Sequence, residues 1–343
     1  MSLAAGRIIL ETRELTAGLI NAENPVRIVF TGNATESINL ALKGVLRSGD
    51  HIITSSMEHN AVTRPLHTLA SQGVEVTAVP SDNKGHLDPR EVKAAIKRNT
   101  KMIARIHASN VVGAVMPVQE VGVLAREYGL VYLVDAAQTM GYLDIDVRRM
   151  NIDLLAFPGH KSLYGPQGTG GLYIREGLNL SPLKEGGTGS GSESMIQPEV
   201  MPDRYESGTP NTVGLAGLGA GIKYISEVGL EKIREHSQGL LKRMVEGLRQ
   251  IPGVTVYGPE KQEEQVPVVS FNLKNLGSSE VAFLLDRVYD IACRSGLHCA
   301  PAAHQTLGTL ESGTVRLSLS YHNTPDDVDK TLEALAVIAS ESK

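Results

Sequence analysis

Lys161 has the sequence surroundings of a reactive amine. It lies in the glycine-rich segment 157–171, directly after the apolar run 154–157, so it comes where a buried strand should end. Desolvation and nearby cations both lower a lysine pKa, and the neutral amine can form a Schiff base. The glycines would let the backbone pass close to a flat ligand. The alternative, a surface lysine on a turn, is disfavoured by flanks so rich in glycine and aromatic residues.

Asp135 also lies where an apolar run, residues 131–135, ends. A carboxylate at such a place commonly holds a cation, and the protonated ring nitrogen of pyridoxal phosphate (PLP) is one such group. The alternative is an aspartate that caps the next helix.

An anion site is indicated by residues 31–36, Thr-Gly-Asn-Ala-Thr-Glu, which follow the apolar run 26–30 and precede a helical pattern. The free N–H groups and the dipole of a helix N-terminus favour a phosphate, and Thr35 could add a hydroxyl. The alternative is an ordinary helix cap by Thr31 or Asn33.

His59 and Arg316 are candidates for contact with a flat ligand and with a carboxylate. His59 follows the run 51–55, where an imidazole could stack on a ring; a histidine near a helix start is the alternative. Arg316 lies within the apolar run 315–320, where an unpaired guanidinium is costly. It could clamp a substrate carboxylate or form an internal salt bridge.

Cys299 is the candidate nucleophile. It lies in a loop punctuated by glycine and proline, close in sequence to Arg294 and His298, whose positive charge would lower a thiol pKa. Lone loop cysteines are commonly inert, so the spacing leaves both interpretations open. The second cysteine, Cys293, is interpreted as a small hydrophobe at the end of a buried strand.

The bulk composition is that of a globular protein. The 343 residues allow one large domain and a smaller one, 41% of them are apolar, and the net charge of −5 comes from intermixed acids and bases. There is no basic stripe for nucleic acid and no apolar run long enough to span a membrane. With two cysteines, no metal-ligand spacing and no signal-peptide pattern, we predict a cytoplasmic protein without a metal site.

Short apolar runs alternate with amphipathic stretches, which predicts an α/β fold with a mostly parallel sheet covered on both faces. Seven strands are predicted, at 26–30, 51–55, 74–80, 102–108, 131–135, 154–157 and 170–174, and helices at 36–47, 61–72, 89–98 and 118–128. Ligands gather at the carboxyl ends of such strands, which is where the candidate residues lie.

A flexible Gly/Ser loop begins at residue 186, and the pattern after it changes. Helices are predicted at 213–228, 230–250, 279–288 and 324–340, and strands at 254–258, 266–273, 290–294 and 315–320. We therefore predict a large domain over residues 1–229 and a smaller α+β domain over residues 230–343.

Together these motifs resemble those of one enzyme group. In chain order they are Asn33-Ala34-Thr35-Glu36-Ser37-Ile38-Asn39, Glu58-His59, Asp135-x-x-Gln138, Gly159-His160-Lys161, Gly208-Thr209-Pro210-Asn211, Arg294-Ser295-Gly296-x-His298-Cys299 and Arg316. The sequence is similar to the class V aminotransferase group of PLP enzymes, and within it to cysteine desulfurases and selenocysteine lyases. The resemblance extends from about residue 5 to the C-terminus and implies the PLP-dependent transferase fold (fold type I, aspartate aminotransferase-like).

The resemblance also implies a role for each matching residue. Lys161 would form the Schiff base with PLP, Asp135 would pair with the ring nitrogen, and Gln138 would bind the phenolic oxygen. His59 would stack on the ring. The phosphate ligands would be Ala34, Thr35 and His160. For the substrate the resemblance places the carboxylate ligands Asn110 and Arg316, with Arg294 beside them, and the sulfur acceptor Cys299. Thr209 belongs to a segment that in this family reaches the cofactor of a partner subunit, so a homodimer is implied.

The reaction implied by the resemblance converts L-cysteine to L-alanine, with selenocysteine as an alternative substrate. Lys161 would move the Cα proton while the ring stores the charge. The thiolate of Cys299 would attack the substrate sulfur and become a persulfide, whose sulfur passes to an acceptor protein or a thiol.

Two features depart from the family pattern. Family members usually carry, before the point where this sequence begins, a segment with an asparagine–alanine–alanine stretch that lines the substrate mouth. Pro158 stands where the family usually has serine or threonine, and proline offers a phosphate no hydroxyl. Two other functions therefore stay open: another class V PLP enzyme (an aminotransferase, epimerase or lyase) that does not use Cys299, and a non-catalytic binding protein with the PLP fold.

Overall fold

The larger of two sheets in the molecule carries most of the candidate residues; the computed structural model describes residues 3–342. Its seven strands are β1 (Ile28–Thr31), β2 (His51–Ser55), β3 (Glu75–Val79), β4 (Thr100–Ile106), β5 (Val131–Asp135), β6 (Leu154–Pro158) and β7 (Gly170–Ile174). Their order is β1-β7-β6-β5-β4-β2-β3. Strand β7 runs antiparallel to both neighbours, and the other pairings are parallel. The predicted mostly parallel α/β sheet is confirmed.

Helices cover both faces of this sheet. They are α1 (Leu3–Leu19), α2 (Ala34–Val45), α3 (Asn60–Ser71), α4 (Pro89–Ala94), α5 (Val118–Glu127) and α6 (Thr212–Val228). Neighbouring strand residues alternate between two apolar clusters: Ile53 and Ile103 belong to one, Ile52 and Met102 to the other. Both faces are thus buried, as a parallel sheet requires. Within residues 3–342, no helix is both long and apolar enough to cross a bilayer.

The smaller sheet is antiparallel and has the order β10-β11-β9-β8. Its strands are β8 (Val254–Tyr257), β9 (Val268–Leu273), β10 (Arg294–Gly296) and β11 (Thr314–Ser318), and the helices of this region are α7 (Leu230–Gln250), α8 (Ser278–Tyr289), α9 (Pro301–Thr306) and α10 (Pro325–Glu341). Only Gly229 separates α6 from α7. The division predicted between residues 229 and 230 falls at this glycine and stays a prediction; residues 1, 2 and 343 of the two domains lie outside the described range.

Several predicted strand boundaries are displaced. The strand predicted at 290–294 is wrong, because Asp290 takes a left-handed conformation (φ 54°) that ends α8, and pairing begins only at Arg294. The first strand starts at Ile28 because Asn24 caps a 3-10 turn, Pro25–Arg27, before it. The strand predicted at 102–108 ends two residues earlier, whereas the predicted ends of β2 and β5, at residues 55 and 135, are confirmed.

Candidate active site

A cleft of about 310 Å³ lies between the carboxyl edge of the larger sheet and the smaller sheet. Six of the predicted residues line it: His59, Asn110, Gln138, Lys161, Arg294 and Arg316. The first four follow strands β2, β4, β5 and β6, whose parallel order brings the loops after them to one edge. The two arginines lie opposite each other on β10 and β11.

Lys161 lines this cleft, with its side chain exposed to solvent and many protein atoms around its amine. Burial lowers the pKa of its amine; Asp135 opposes this shift, and Arg316 adds to it. A larger fraction of the amine is therefore neutral, which is its nucleophilic form. The structure places Lys161 in a cleft rather than on an outer turn.

Asp135 is buried at the end of β5. Its Oδ1 accepts a hydrogen bond from the backbone N–H of Ala137 at 2.9 Å, and residues 137–139 form a turn rather than a helix start. Burial raises the pKa of this carboxyl, and the charge of Lys161 opposes the shift. A buried carboxyl with little hydrogen bonding is suited to a cationic partner such as a protonated ring nitrogen.

His59 caps helix α3, since its Nδ1 accepts the N–H of Ala61 at 3.0 Å. The helix-start interpretation is therefore right, and the imidazole also lines the cleft. Burial, then Lys161 and Arg294, lower its pKa to about 4, so the ring is neutral at pH 7. A neutral ring held in one orientation is compatible with stacking on a flat cofactor.

Arg316 forms no salt bridge among residues 3–342. Its Nη1 donates to the backbone oxygen of Asn110 at 2.9 Å, while its Nε is buried without a partner. The side-chain Oδ1 of Asn110 is also buried and unpartnered. Buried polar atoms without partners are rare and costly. The Nε donor of Arg316 is suited to a ligand that bears a carboxylate, whereas Oδ1 of Asn110 can only accept and is suited to a donor group such as an amine. The salt-bridge alternative for Arg316 is wrong.

Cys299 is exposed in the loop after β10. Arg294 donates from Nη2 to its Sγ at 3.6 Å. The prediction that His298 supplies a second positive charge is wrong: this residue is 3% exposed, and burial lowers its pKa to about 3. Cys293 packs against the core of the smaller sheet, where burial raises its thiol pKa to about 11, but it precedes β10 instead of ending a strand.

The predicted phosphate ligands Ala34 and Thr35 form the first turn of α2. Asn33 caps this helix, with its Oδ1 accepting the N–H of Glu36 at 3.0 Å. The N–H groups of Ala34 and Thr35 precede the first hydrogen bonds of the helix ladder and can therefore bind an anion. The capping alternative and the phosphate site are thus compatible.

Gly170 brings this turn next to the lysine. It pairs with Thr31 on one side and with Pro158 on the other. A Cβ at Gly170 would lie 2.8 Å from Cα of Asn33, so a larger residue would push the turn away. His160, the residue before Lys161, is exposed.

Thr209 is not among the residues that line the cleft; it lies exposed just before α6. Sequence reasoning in turn missed three tyrosines that line it, Tyr142, Tyr164 and Tyr321. Tyr164 stands in the lysine motif, which could have revealed it, whereas the other two are brought in only by tertiary packing.

Glu58 and Arg105 are two buried ionisable residues close to His59 that sequence reasoning also missed. Glu58 Oε1 accepts hydrogen bonds from Ser55 Oγ and from the N–H of Ile106. It thereby ties the turn that carries His59 to the end of β4. Burial raises the pKa of Glu58 to about 7, and the charge of Arg105 opposes the shift.

A larger groove of about 510 Å³ lies at the opposite edge of the sheet. Two of its arginines form ion pairs, Arg148 with Glu23 and Arg175 with Asp153. Arg27 donates to the backbone oxygens of Ile174 and Arg175, and Arg126 donates to Oδ1 of Asn151. None of the candidate residues selected from the sequence lines this groove, unlike the cleft at Lys161.

The cleft at Lys161 fits PLP. The amine, the buried carboxyl of Asp135 and the neutral ring of His59 match the cofactor's aldehyde, ring nitrogen and ring face, and the first turn of α2 matches its phosphate. The fold and this site define a PLP-dependent enzyme of fold type I.

Comparison with known proteins identifies the family of the chain. The family described as aminotransferase class-V matches residues 1–331, and the chain belongs to this family. A probable cysteine desulfurase of Methanothermobacter thermautotrophicus is 38% identical, over 98% of this chain and 85% of its own length. The cysteine desulfurase of Salmonella agona is 36% identical, over 98% of this chain and 84% of its own length. The apo structure of the cysteine desulfurase from Thermococcus onnurineus NA1 is 36% identical with a TM-score of 0.94, and the match covers 98% of this chain and 85% of that one.

Proposed function

We propose that the protein is a PLP-dependent cysteine desulfurase that converts L-cysteine to L-alanine and holds the sulfur as a persulfide on Cys299. The observation that carries the proposal is the thiol itself. It lies beside Arg294, which donates to its Sγ at 3.6 Å and lines the same cleft as Lys161 and Arg316. A class V enzyme that only transfers an amino group needs no thiol at this place. The relatives named cysteine desulfurase support the same assignment.

The residues that would hold the cofactor are Lys161, Asp135, Gln138, His59, His160 and the first turn of α2 with Ala34 and Thr35. When bound, PLP withdraws electrons from the substrate's Cα. The amine of Lys161 moves the proton at Cα, for which its lowered pKa provides the neutral base. Arg316 and Asn110 bind the substrate carboxylate and so orient the molecule.

The thiolate of Cys299 attacks the sulfur of L-cysteine. An S–S bond forms as the substrate's Cβ–S bond breaks, the electron pair stays on carbon, and protonation of that carbon gives L-alanine. The carbon is reduced as the sulfur is oxidised, so no external oxidant is needed. Because Cys299 is exposed, the persulfide can pass its outer sulfur to an acceptor protein or a thiol.

We also propose a homodimer in the cytoplasm. Exposed apolar side chains lie in sequence on both sides of Thr209, namely Met195, Ile196, Val200 and Val213, and burying them against a second copy is favourable. Both cysteines are free thiols, which suits a reducing compartment. Selenocysteine stays a predicted alternative substrate.

The test is alanine and sulfide release from L-cysteine by the full chain with PLP and a thiol reductant. Wild type should turn over many times and release the two products in equal amounts. Cys299→Ala should lose alanine formation but still change its cofactor absorbance when L-cysteine is added. Cys293→Ala is the matched control and should behave as wild type.

Two results would contradict the proposal. Full alanine formation by Cys299→Ala would assign the protein to another class V reaction that does not use this thiol. Absence of turnover with every amino acid supplied would favour a non-catalytic binding role.

A further inference from the structure

His298 stands directly before the proposed nucleophile, and the mechanism above gives it no role. Its imidazole is buried, with Nε2 lying 3.1 Å from the backbone oxygen of Thr314 and 3.0 Å from Oγ1 of the same residue. A carbonyl oxygen can only accept, so Nε2 carries the ring proton. Nδ1 is buried without a partner. The ring is therefore fixed by β11.

The backbone at this point is strained. His298 has φ 48° and Cys299 has φ 59°, so two consecutive non-glycine residues are left-handed. Such conformations persist only where the surroundings hold them. The amide of Asn110 donates to the oxygen of His298 at 2.7 Å, and the N–H of Asn60 donates to the oxygen of Cys299 at 2.8 Å. The thiol loop is thus held by contacts with the larger sheet's loops as well as by Thr314.

The same anchors hold the arginine of the substrate site. Asn110, whose side chain binds the loop, gives its own backbone oxygen to Arg316. Thr314, which binds the imidazole, lies two residues before Arg316 on β11 and pairs with Gly296 of β10. The thiol and the guanidinium therefore have their positions set by shared partners.

We propose that His298 is a positioning residue: by donating to Thr314, it holds the left-handed turn that presents the Cys299 thiol to a substrate whose carboxylate Arg316 binds. This inference rests on the proposed function, in which Cys299 accepts the sulfur. His298 also lines the cleft, and its proposed role is exerted through the position of Cys299, the residue that follows it.

His298→Ala tests the proposal, because a replacement of Thr314 would leave its backbone oxygen as an acceptor. His51→Ala is the control: this imidazole is also buried, 2.7 Å from Oγ1 of Thr100 and 2.8 Å from Oγ1 of Thr77, at the start of β2. With the PLP-loaded full chain, His298→Ala should lower kcat for alanine formation about tenfold, because the reacting thiol is misplaced. KM for L-cysteine should stay unchanged. Amide hydrogen exchange of residues 297–300 should become faster, and His51→Ala should alter none of these quantities.

A second replacement at the same position gives a further comparison. Asparagine tolerates the left-handed conformation and alanine does not, so His298→Asn should retain more kcat than His298→Ala. Equal kcat and equal exchange in His298→Ala and His51→Ala would overturn the positioning role. If the proposed function is wrong, the wild-type protein will form neither alanine nor a persulfide. The exchange comparison will then still support or refute the ordering of the loop by His298.

Discussion

At the scale of single residues, Arg316 has a buried unpartnered N–H, and the residue opposite it in the smaller sheet is a second arginine, Arg294. Two cations opposite each other on neighbouring strands repel. Burial and this second charge both lower the pKa of Arg316. An anion bound between the two guanidinium groups would relieve the repulsion, and the carboxylate of an amino acid is such an anion.

Arg316→Lys should therefore raise KM for L-cysteine about tenfold or more, because a lysine ammonium cannot make the forked contacts of a guanidinium. PLP content should not change. Steady-state kinetics measure the effect, and Arg243→Lys, in an exposed ion pair with Asp329, is the control. An unchanged KM in Arg316→Lys would remove this residue from the substrate site.

Glu58 should make stability fall as pH rises. Its carboxyl has a pKa of about 7 in the folded protein against the usual 4.5, so the folded state keeps a proton that the unfolded state releases between these values. The free energy of unfolding should therefore drop through that window, by about 3 kcal/mol in total.

Glu58→Gln still offers an acceptor to the N–H of Ile106 but has no proton to lose. Urea unfolding between about pH 5 and pH 8 should show a loss of stability in wild type that is absent in this variant. Glu280→Gln, exposed on α8, is the control and should follow wild type. Parallel wild-type and Glu58→Gln curves would show that the buried carboxyl does not titrate there.

Residue types at strand ends were enough to single out Lys161, which lines the cleft, and Asp135, which is buried at the end of β5. The charge state of His298 could not be predicted in this way, because adjacency in sequence does not reveal that the ring is buried against Thr314. Glu58 and Arg105 were missed for the same reason: the burial of both side chains depends on tertiary packing, which sequence adjacency does not reveal.

At the scale of elements, helix α5 packs closely beneath the strand that carries Asp135. A Cβ on Gly122 of α5 would lie 1.9 Å from the backbone oxygen of Met150. Gly122→Ala should therefore destabilise the protein by about 1–3 kcal/mol through overpacking. Gly239→Ala, at an exposed position of α7 where a Cβ meets nothing within 4 Å, should stabilise it by about 0.5–1 kcal/mol.

Thermal and denaturant unfolding of the two alanine variants measure this difference. Stability changes of the same sign would contradict it, because helix propensity alone favours alanine at both positions.

The elements that were misplaced or not predicted have identifiable causes. Helix α1 buries the polar residues Thr12, Arg13 and Thr16, so its apolar periodicity is weak; Arg13 is satisfied by Glu206, far away in sequence. The displaced strand at 290–294 depends on Asp290 adopting a left-handed conformation. Neither a distant ion pair nor a single backbone angle can be read from local pattern.

At the scale of the whole molecule, the exposed apolar residues around Thr209 predict self-association. Ile196 and Val213 are 78% and 85% exposed. The double variant Ile196→Asp, Val213→Asp should shift the protein from dimer to monomer in sedimentation velocity and should lower its activity. Val123→Asp, on α5 and 53% exposed, should leave the dimer intact. A monomeric, fully active wild type would refute the dimer.

The two sheets carry different parts of the proposed chemistry. Lys161, Asp135 and His59 follow strands of the larger sheet, whereas Arg294, Arg316 and Cys299 belong to strands β10 and β11 or the loop after them. The groups proposed to hold the cofactor and the thiol proposed to select the reaction therefore lie on different sheets. A change confined to the smaller sheet is expected to alter the product formed from an amino acid more than it alters the binding of the cofactor.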